Sequence, residues 1–551
     1  MLKESPSCMI SSVISKTSSR LIFKLFAITL FLFASFLSLA QNDMSMQKVL
    51  IEPGEKWWGG AISDGYRMPF ISGYEINLFG NNKSNQAQPL LLSNHGRYIW
   101  SDEPFAFRLF TDSIFLTSST QTRAVYSIGK AGNTLKEAYQ YACKSFFPSS
   151  GEMPDELMFS RPQYNTWIEL TYNQNQKDVL KYANGIIRNR FPVGIIMIDD
   201  TWQEDYGKWN FHPAKFSNPK HMIDSLHIMG FKVMLWICPF ISPDCDVYRV
   251  LRDNGLLIKE KDTDEPAMVH WWNGVSALLD LTNPGAMTWI KKQLYVLADS
   301  LGIDGFKFDA GDAAFYKGNF ECYKNISPNE HSEIYGQLGL AFPLNEFRAM
   351  WKMGGQPMAQ RLQDKSHNWE DLQTLIPNII AQGLCGYAFT CPDLIGGGEY
   401  LSFINLASID QDLVVRSAQC QALMPMMQFS VAPWRVLDAK HLKAIQKSIA
   451  VRTLFSQIIL SLAKASAIKG EPIIRAMEYV FPDNGYDQIK DQFMLGDSVL
   501  VAPMLQKGIK SRRVVIPPGR WIGDDGILIK GPATIIVQVP IERLPYFRKV
   551  K

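Results

Sequence analysis

The chain has 551 residues, of which 46% are hydrophobic and 20% are charged, with 56 basic against 53 acidic side chains. This composition is typical of a soluble globular protein, and the length suffices for several domains with a large core. The near balance of charge gives no basis for a nucleic acid or an anionic membrane as a partner.

Residues 1–40 are typical of a secretory signal sequence, because Lys16, Arg20 and Lys24 precede or flank an apolar run at 25–39 that ends in the small residue Ala40. The run is shorter than the roughly 20 residues of a membrane-spanning helix, which favours cleavage over a membrane anchor. The mature chain is therefore predicted to begin near residue 41 and to be secreted or periplasmic.

Seven cysteines follow residue 40, and their wide spacing matches neither a disulfide framework nor a zinc site. Free buried thiols are expected, although an exported chain permits one or two disulfide bonds. The eight histidines are scattered without the spacing of metal ligands. Signatures of metalloproteases, serine hydrolases and nucleotide sites are absent, so neither a metal nor an organic cofactor is predicted.

Residues 41–158 are a series of short β-like runs separated by glycine and asparagine turns, which predicts an N-terminal β-sandwich. Within it, two adjacent tryptophans precede two glycines at 57–60. Because neighbouring residues of a strand face opposite ways, we interpret this stretch as a loop. A structural tryptophan pair is favoured over a role of Trp57 in the wall of a substrate pocket.

From 159 to 470 short apolar runs alternate with helical stretches, which predicts repeated β-α units around a parallel sheet. Acidic residues follow several of the strands, which favours a closed (β/α)8 barrel over an open sheet. The predicted strands are 166–170, 193–198, 232–237, 303–308, 385–390 and 423–427. The predicted helices are 176–188, 221–229 and 286–301.

A longer insertion near 240–280 interrupts the barrel region, with an exposed loop and small helix predicted around the charged residues 259–262. Long loops on the active rim of a barrel usually shape access of the substrate. From 471 to 551 the pattern returns to β-like runs, which predicts a C-terminal β-sandwich.

After these exclusions, acidic side chains at strand ends or in rim loops are the remaining candidates for catalysis. Two carboxylates suffice for glycoside hydrolysis, in which one attacks the anomeric carbon and the other protonates the leaving oxygen. The attacking group must stay ionised, and Lys307, two residues before Asp309 on one strand face, favours that form. The candidates are Asp199, Asp200, Asp309, Asp312, Asp364 and Asp393.

The stretch 306–312, Phe-Lys-Phe-Asp-Ala-Gly-Asp, resembles the nucleophile motif of glycoside hydrolase family 31, whose retaining α-glycosidases carry a barrel between β-sandwich domains. By that match Asp309 is the nucleophile. The stretch 364–372, in which Trp369 follows Asp364 by five residues, is similar to the acid/base segment of the family and makes Asp364 the general acid/base.

Further segments resemble the family across the chain, and they imply residues that contact the sugar. Asp199 lies in a segment like the glycone-binding one, and Arg348 is placed like the sugar-binding arginine, with Arg361 as a nearer alternative. Asp200 is interpreted as a capping or supporting residue. The other substrate-binding residues that we predict are Trp202, Trp236, Trp272, Lys307, Asp312 and Asp393.

Some positions depart from the family pattern. Gln363 stands where glycine is usual, and Ser430 where α-glucosidases have a glycone-binding histidine. The stretch 307–311 is most similar to a branch for which the resemblance implies α-galactosidase activity. An α-galactoside is thus favoured as the substrate, followed by an α-glucoside or α-xyloside, with a sulfonated sugar also considered. A catalytically silent glycan-binding protein and a transglycosylase are the alternatives.

Overall fold

The computed structural model describes residues 46–119 and 125–550. The predicted signal sequence at 1–40 lies outside these residues. The described chain contains an N-terminal β-sandwich, a parallel barrel and a C-terminal β domain, which confirms the predicted architecture.

The N-terminal domain consists of two sheets with apolar side chains between them, including Leu91, Ile99, Phe107 and Leu116. The strands of the first sheet, in spatial order, are Met46–Leu50, Ser113–Thr117, Ala106–Leu109 and Glu75–Asn77. Those of the second are Trp57–Ala61, Gln86–Ser93, Arg97–Ser101 and Tyr126–Lys130.

The loop predicted at 57–60 is wrong, because Trp57–Ala61 is a strand that pairs with Gln86–Ser93. Trp57 and Trp58 point to opposite faces, and both are buried. This pattern is possible because the sheet is covered on both sides, so that neither indole needs to face water.

Eight parallel strands form the barrel, and we number them β1 to β8 in chain order. They are β1 (Gln163–Asn165), β2 (Ile195–Ile198), β3 (Lys232–Ile237), β4 (Gly305–Phe308), β5 (Leu344–Phe347), β6 (Ala359–Arg361), β7 (Thr390–Cys391) and β8 (Gln428–Phe429). Each strand pairs with its neighbour, and β8 pairs with β1. A bridge between Leu394, just after β7, and Gln428 of β8 closes the ring.

Polar caps determine where several of the surrounding helices begin, as at Asn175, Ser327, Asn368 and Asp438. The α-helices are Leu135–Phe146, Leu157–Ser160, Trp167–Leu170, Gln176–Arg188, Pro219–Ile228, Asp246–Asp253, Pro284–Val296, Pro328–Gly339, Trp369–Leu384, Gln411–Ala422, Pro433–Val436, Ala439–Lys469 and Met477–Val480. A π-helical turn at Leu297–Leu301 directly follows the helix Pro284–Val296. Short 3-10 turns lie at Ile62–Arg67, Ala313–Tyr316, Tyr400–Phe403 and Leu406–Ser408.

Three predicted barrel strands were misplaced. Residues 167–170 are a helical turn after β1, residues 385–389 separate the end of a helix from β7, and residues 423–427 lie between a helix and β8. The runs at 385–389 and 423–427 are buried throughout, so their apolar character does not distinguish a strand from a helix end, whereas of residues 167–170 only Ile168 is buried.

The rim of the barrel carries additional short strands. In the insertion, Phe240–Ile241, Gly274–Leu278 and Met268–Trp271 form a small sheet. No helix forms at 259–262, because Lys259–Glu260 instead pairs with Phe320–Glu321, and the helix of this insertion lies earlier, at Asp246–Asp253. The remaining rim strands are Gln203–Asp205, Lys208–Phe211 and Met350–Trp351.

The strands of the C-terminal domain form one continuous sheet around a second, smaller core that includes Met494, Leu500, Ile516 and Trp521. In spatial order they are Ile474–Arg475, Phe493–Leu495, Val499–Val501, Tyr546–Val550, Ser511–Gly523 and Leu528–Gln538.

All seven cysteines after residue 40 lie within the described residues and are free thiols, of which only Cys322 is partly exposed. Among the described residues no group of three or more His, Cys, Asp or Glu side chains is placed to hold a metal ion.

The helix Ala439–Lys469 is long and apolar enough to cross a membrane by length and composition alone. In this fold it packs instead against the helix Gln411–Ala422. Its buried Arg452 donates hydrogen bonds to the carbonyl oxygens of Phe159, Met424 and Pro425 at 2.8 to 2.9 Å. This guanidinium therefore supplies the donors that the irregular backbone before β1 and β8 lacks.

Replacement of Arg452 by alanine is expected to lower the free energy of unfolding by at least about 3 kcal/mol, because it leaves several buried carbonyls without a donor. Urea denaturation followed by tryptophan fluorescence measures this loss. Arg452→Lys, which keeps one donor group, should recover part of it, and an unchanged midpoint for Arg452→Ala would contradict the assignment.

Candidate active site

The carboxyl ends of the barrel strands surround a cavity of about 410 Å³, which we call the catalytic cavity. Eight of the ten predicted site residues line it: Asp199, Trp236, Trp272, Lys307, Asp309, Asp312, Arg348 and Asp364. The other two, Trp202 and Asp393, lie outside it. The barrel thus brings together side chains that are up to 165 positions apart in the sequence.

Asp309 follows β4 directly, so its carboxylate stands at the C-terminal end of that strand. One oxygen, Oδ1, accepts hydrogen bonds from Arg348 Nε at 2.7 Å and from the backbone N–H of Ala310 at 2.8 Å. The other, Oδ2, accepts from Trp236 Nε1 at 2.9 Å and lies 3.8 Å from Lys307 Nζ. Burial by itself raises the pKa of Asp309, but Arg348 and Lys307 outweigh it and hold the pKa below its ordinary value.

Lys307 is fully enclosed in the barrel and donates to Asp199 Oδ2 at 2.7 Å. Burial lowers the pKa of this ammonium, but Asp199 and Asp309 more than offset it, so the net shift is upward. Lys307 is therefore a permanent cation between the ends of β2 and β4, and it serves two carboxylates at once.

Arg348 follows β5 and joins three parts of the site. Besides Asp309, it binds Asp312 through two nitrogens, at 3.1 Å and 2.6 Å, and its Nη1 donates to the Ser84 carbonyl at 2.5 Å. Its guanidinium lies 5.1 Å from the ring centre of Trp272. The predicted sugar-binding arginine thus acts mainly on the carboxylates around it.

Asp364 is the most accessible of the carboxylates that pair with cations here, with 41% of its side chain exposed. Its Oδ1 accepts from Arg361 Nη1 at 2.6 Å, and the same nitrogen donates to Asp393 at 2.8 Å. Arg361 thus forms salt bridges and does not line the cavity, unlike Arg348, to which it was the nearer alternative as the sugar-binding arginine.

Asp393 is buried behind Asp364, and its Oδ2 accepts from the backbone N–H of Lys365 at 2.8 Å. The predicted contact of Asp393 with the sugar is not supported by this position, because both carboxylate oxygens are engaged by protein donors. Burial, reinforced by the charge of Asp364, raises the pKa of Asp393 to about 7 against the opposing effect of Arg361. Asp393 therefore supports the Asp364 loop, which comprises residues 362–368 between β6 and the helix Trp369–Leu384.

Trp202 also lies outside the cavity, so that its predicted stacking on a sugar is wrong in this structure. Its ring is fully buried between Trp209 and Phe211, and its Nε1 donates to the Trp236 carbonyl at 2.8 Å. Neither Trp57 nor Trp58 lines the cavity, which fits the interpretation as a structural pair. Ser430, likewise outside, accepts a hydrogen bond from the Ile168 N–H.

Several lining residues were missed. Asp200 faces the cavity rather than only supporting it, and the tip of the insertion binds it through Asn273, whose amide nitrogen donates at 2.6 Å. Burial next to Asp199 raises the pKa of Asp200 to about 7. The Asp-Asp pair at 199–200 was a signal for this role.

An aromatic wall was missed as well. Trp167, Tyr172 and Tyr400 line the cavity and contact one another edge to face, with ring centres 5.4 to 5.8 Å apart. Trp272 and Phe315 form another aromatic part of the lining. Phe315, Ser84, Gln363, Gly398 and Glu399 complete the set of lining residues that the sequence did not indicate.

The N-terminal domain positions both active-site arginines. The buried amides of Asn85 and Gln86 each donate to the carbonyl oxygens of Arg348 and Arg361, at 2.5 to 3.1 Å. In addition, Met350–Trp351 extends the second N-terminal sheet by pairing with Gln86–Ser93. No sequence signal marked these amides, because their partners are backbone atoms far along the chain.

The charge of the cavity indicates what it accepts. Its two cations, Lys307 and Arg348, are engaged by carboxylates, and acidic side chains outnumber them. A neutral ligand rich in hydroxyl groups finds many acceptors here, whereas an anion finds no cation that lacks a carboxylate partner. The six acidic lining residues are Asp199, Asp200, Asp309, Asp312, Asp364 and Glu399.

Two family models match the chain. One, the TIM-barrel domain of glycosyl hydrolases family 31, covers residues 156–461, and the other, the C-terminal domain of that family, covers residues 470–550. The chain belongs to glycoside hydrolase family 31. The predicted family assignment is thereby confirmed.

Among proteins of this family, the myogenesis-regulating glycosidase of Mus musculus is 31% identical over 422 residues, which cover 75% of this chain and 59% of that protein. The α-xylosidase XylQ of Lactiplantibacillus pentosus is 24% identical over 67% of this chain and 50% of its own length. This chain therefore spans only half to three fifths of the length of these relatives. A family 31 dextranase of Flavobacterium johnsoniae, solved with glucose, has the same fold, with a TM-score of 0.80 and 19% identity over 92% of this chain and 67% of its own.

In this family 31 protein, replacement of Lys307 by methionine is expected to cost about 3 to 5 kcal/mol of stability near neutral pH, because Asp199 becomes a buried, unpaired charge. The folded-state pKa of Asp309 is lowered, so its ionised form stabilises the native protein at pH values above the range in which carboxyl groups of the unfolded chain titrate. This stabilisation is lost in acid. Because Lys307 is one of the cations that lower the pKa of Asp309, the loss caused by the substitution should be smaller at about pH 3 than at about pH 7.5.

Thermal unfolding of both proteins at the two pH values measures this difference. Lys292→Met, which alters an exposed lysine on the helix Pro284–Val296, is the matched control and should have little effect. An equal loss of stability at both pH values would show that Lys307 does not act through its charge.

Proposed function

We propose that this protein is a retaining, exo-acting α-glycoside hydrolase that releases a terminal sugar by double displacement. The observation that carries the proposal is the pair of unlike carboxylates in one cavity. Asp309 is buried among cations and donors that keep it ionised, whereas Asp364 is partly open to solvent on a neighbouring loop. Membership of family 31 and the similarity to named glycosidases support the same activity.

In the first step, Asp309 attacks the anomeric carbon and forms a covalent glycosyl-enzyme, while Asp364 transfers its proton to the departing oxygen. Trp236 and Arg348 each bind one oxygen of Asp309, which orients the carboxylate towards the cavity. The attack neutralises the negative charge of Asp309. Arg348 and Lys307 stabilise the Asp309 carboxylate before the attack and again when it is released in the second step.

In the second step, Asp364 removes a proton from water, and the water attacks the anomeric carbon from the side that the aglycone has left. Asp309 departs as a carboxylate, and two inversions restore the α-configuration. This mechanism requires the two carboxyl groups to stand about 5 to 5.5 Å apart. The exposed side of Asp364 is suited to receive both the aglycone and the water.

A neutral sugar is the favoured glycone, with galactose first and glucose or xylose next. The stretch 307–311 supports galactose through its resemblance, and the full engagement of Lys307 and Arg348 argues against a sulfonated sugar. The signal-like composition of 1–40 supports export of the protein, so that a glycoside or oligosaccharide outside the cytoplasm is the proposed substrate.

The two catalytic roles can be separated by removing each carboxylate and offering azide as a substitute nucleophile. Asp309→Gly should be inactive on an aryl α-galactoside and should form a β-glycosyl azide, because azide then reacts in a single displacement. Asp364→Gly should lose about 10²- to 10⁴-fold in the rate for poor leaving groups and should form an α-glycosyl azide from the covalent intermediate.

The anomeric configuration of each azide is read by proton NMR. Asp304→Asn, at the opposite end of the β4 segment, is the matched control and should keep the chemistry of the native protein. Azide products of the reversed configurations, or full activity of Asp309→Gly, would refute the assignment. Transfer of the glycone to an acceptor sugar rather than to water would identify a transglycosylase.

Glycone preference is tested with the aryl α-glycosides of galactose, glucose, xylose and sulfoquinovose. The galactoside should give the highest kcat/KM and the sulfoquinovoside the lowest, because no cation of the cavity is free to bind a sulfonate. Preference for the sulfoquinovoside would contradict the neutral glycone, and inactivity of a folded protein on all four would favour a glycan-binding protein.

A further inference from the structure

A second cavity, of about 890 Å³, lies beside the catalytic cavity where all three domains meet. The N-terminal domain contributes Ser63 and Tyr66, and the barrel contributes residues from the Asp364 loop and the helix Trp369–Leu384. The C-terminal domain contributes the segments around 490 and 504–513. Its volume is within the usual range of a ligand site.

The Asp364 loop borders both cavities, which therefore adjoin each other. Gln363, just before Asp364, lines both of them, and its side chain accepts a hydrogen bond from Ser63 at 3.2 Å. Lys365, just after Asp364, lines the second cavity. A group bound there is therefore adjacent to the residue that protonates the departing aglycone.

The second cavity carries cations that are not neutralised by carboxylates. Lys365 is buried, and among the described residues no ion pair joins its ammonium to a carboxylate. Lys490 donates only to the Tyr66 carbonyl, at 2.8 Å, and Arg513 is exposed without an ion pair in the described chain. Burial lowers the pKa of both Lys365 and Lys490, and for Lys365 the charges of Asp393, Asp371 and Asp364 oppose this shift in part.

The other charged lining residues, Arg512, Glu370, Asp371 and Asp491, cancel these cations only in part and leave an excess of one positive charge. Arg512 is paired with Asp491 at 2.7 Å. Asp371 accepts a hydrogen bond from the Ser366 N–H at 2.6 Å, and Glu370 is exposed at the start of its helix. Lys490 and Arg513 have no carboxylate partner among the described residues and are thus left available to a ligand, whereas Lys365 is influenced by the charges of Asp364, Asp371 and Asp393.

The two neighbouring cavities therefore differ in charge. The catalytic cavity is acidic with both cations engaged, whereas the lining of the second cavity has one more cation than carboxylates and includes two cations, Lys490 and Arg513, that have no carboxylate partner in the described chain. An acidic sugar would be repelled from the first and attracted to the second. We propose that the second cavity binds the carboxylate of an acidic sugar in the aglycone, so that the substrates are α-glycosides of uronic acid-containing saccharides. This inference rests on the proposed function and adds the class of leaving group.

Direct binding tests the cavity independently of turnover. Methyl β-D-glucuronide and methyl β-D-glucoside differ in the carboxylate, and an α-specific enzyme hydrolyses neither. By titration calorimetry on the full-length native protein, the glucuronide should bind at least about tenfold more tightly, and added salt should weaken it by screening. Lys490→Gln, which retains a donor for Tyr66, and Arg513→Gln should each raise the Kd of the glucuronide several-fold, by about 3- to 10-fold.

Lys443→Gln, an exposed lysine on the helix Ala439–Lys469, is the matched control and should leave the Kd unchanged. Equal affinity for the two methyl glycosides, or glucuronide binding that neither substitution weakens, would overturn the proposal. Thermal unfolding of each variant establishes that it is folded. Glucuronide binding without hydrolysis of any aryl glycoside would refute the proposed function alone, and hydrolysis without glucuronide binding would refute this inference alone.

Discussion

Three buried cations hold the centre of this protein together, and each is shared between carboxylates. Lys307 bridges Asp199 and Asp309, and Arg348 bridges Asp309 and Asp312. Arg361 bridges Asp364 and Asp393. A buried charge without a partner costs several kcal/mol, so these side chains are tolerated only as a set. These ion pairs fix the ends of β2, β4 and β5 relative to one another, and those of β6 and β7 relative to each other.

This sharing gives the two proposed catalytic carboxylates different surroundings. Asp309 is enclosed by donors from three directions, while Asp364 has one arginine on one side and open space on the other. Gly398 lies against this second group, where a Cβ atom would come within 2.6 Å of Asp364 Oδ1. The position of Asp364 thus depends on the absence of a side chain at residue 398.

Sequence reasoning was most successful where a local pattern determines the structure. The helix Gln176–Arg188 and the strand Lys232–Ile237 have the predicted bounds, and Asp309 follows its strand as expected. It failed where tertiary packing decides. The indole of Trp202 is polar enough to line a site, yet it packs inward. Residues 423–427 are apolar because the region is buried on all sides, and not because they form a strand. The roles of Asn85 and Gln86 could not be predicted, since backbone carbonyls carry no sequence signature.

The hydrogen bonds of Asn85 and Gln86 mean that the border between the first two domains is not a functional border. The carbonyls of Arg348 and Arg361 are held by amides from the sandwich, and the rim strand Met350–Trp351 extends one of its sheets. A barrel without this sandwich would lose the donors that hold the backbone of both arginines. The smallest structural unit that can hold the two arginines in place is therefore the sandwich and barrel together.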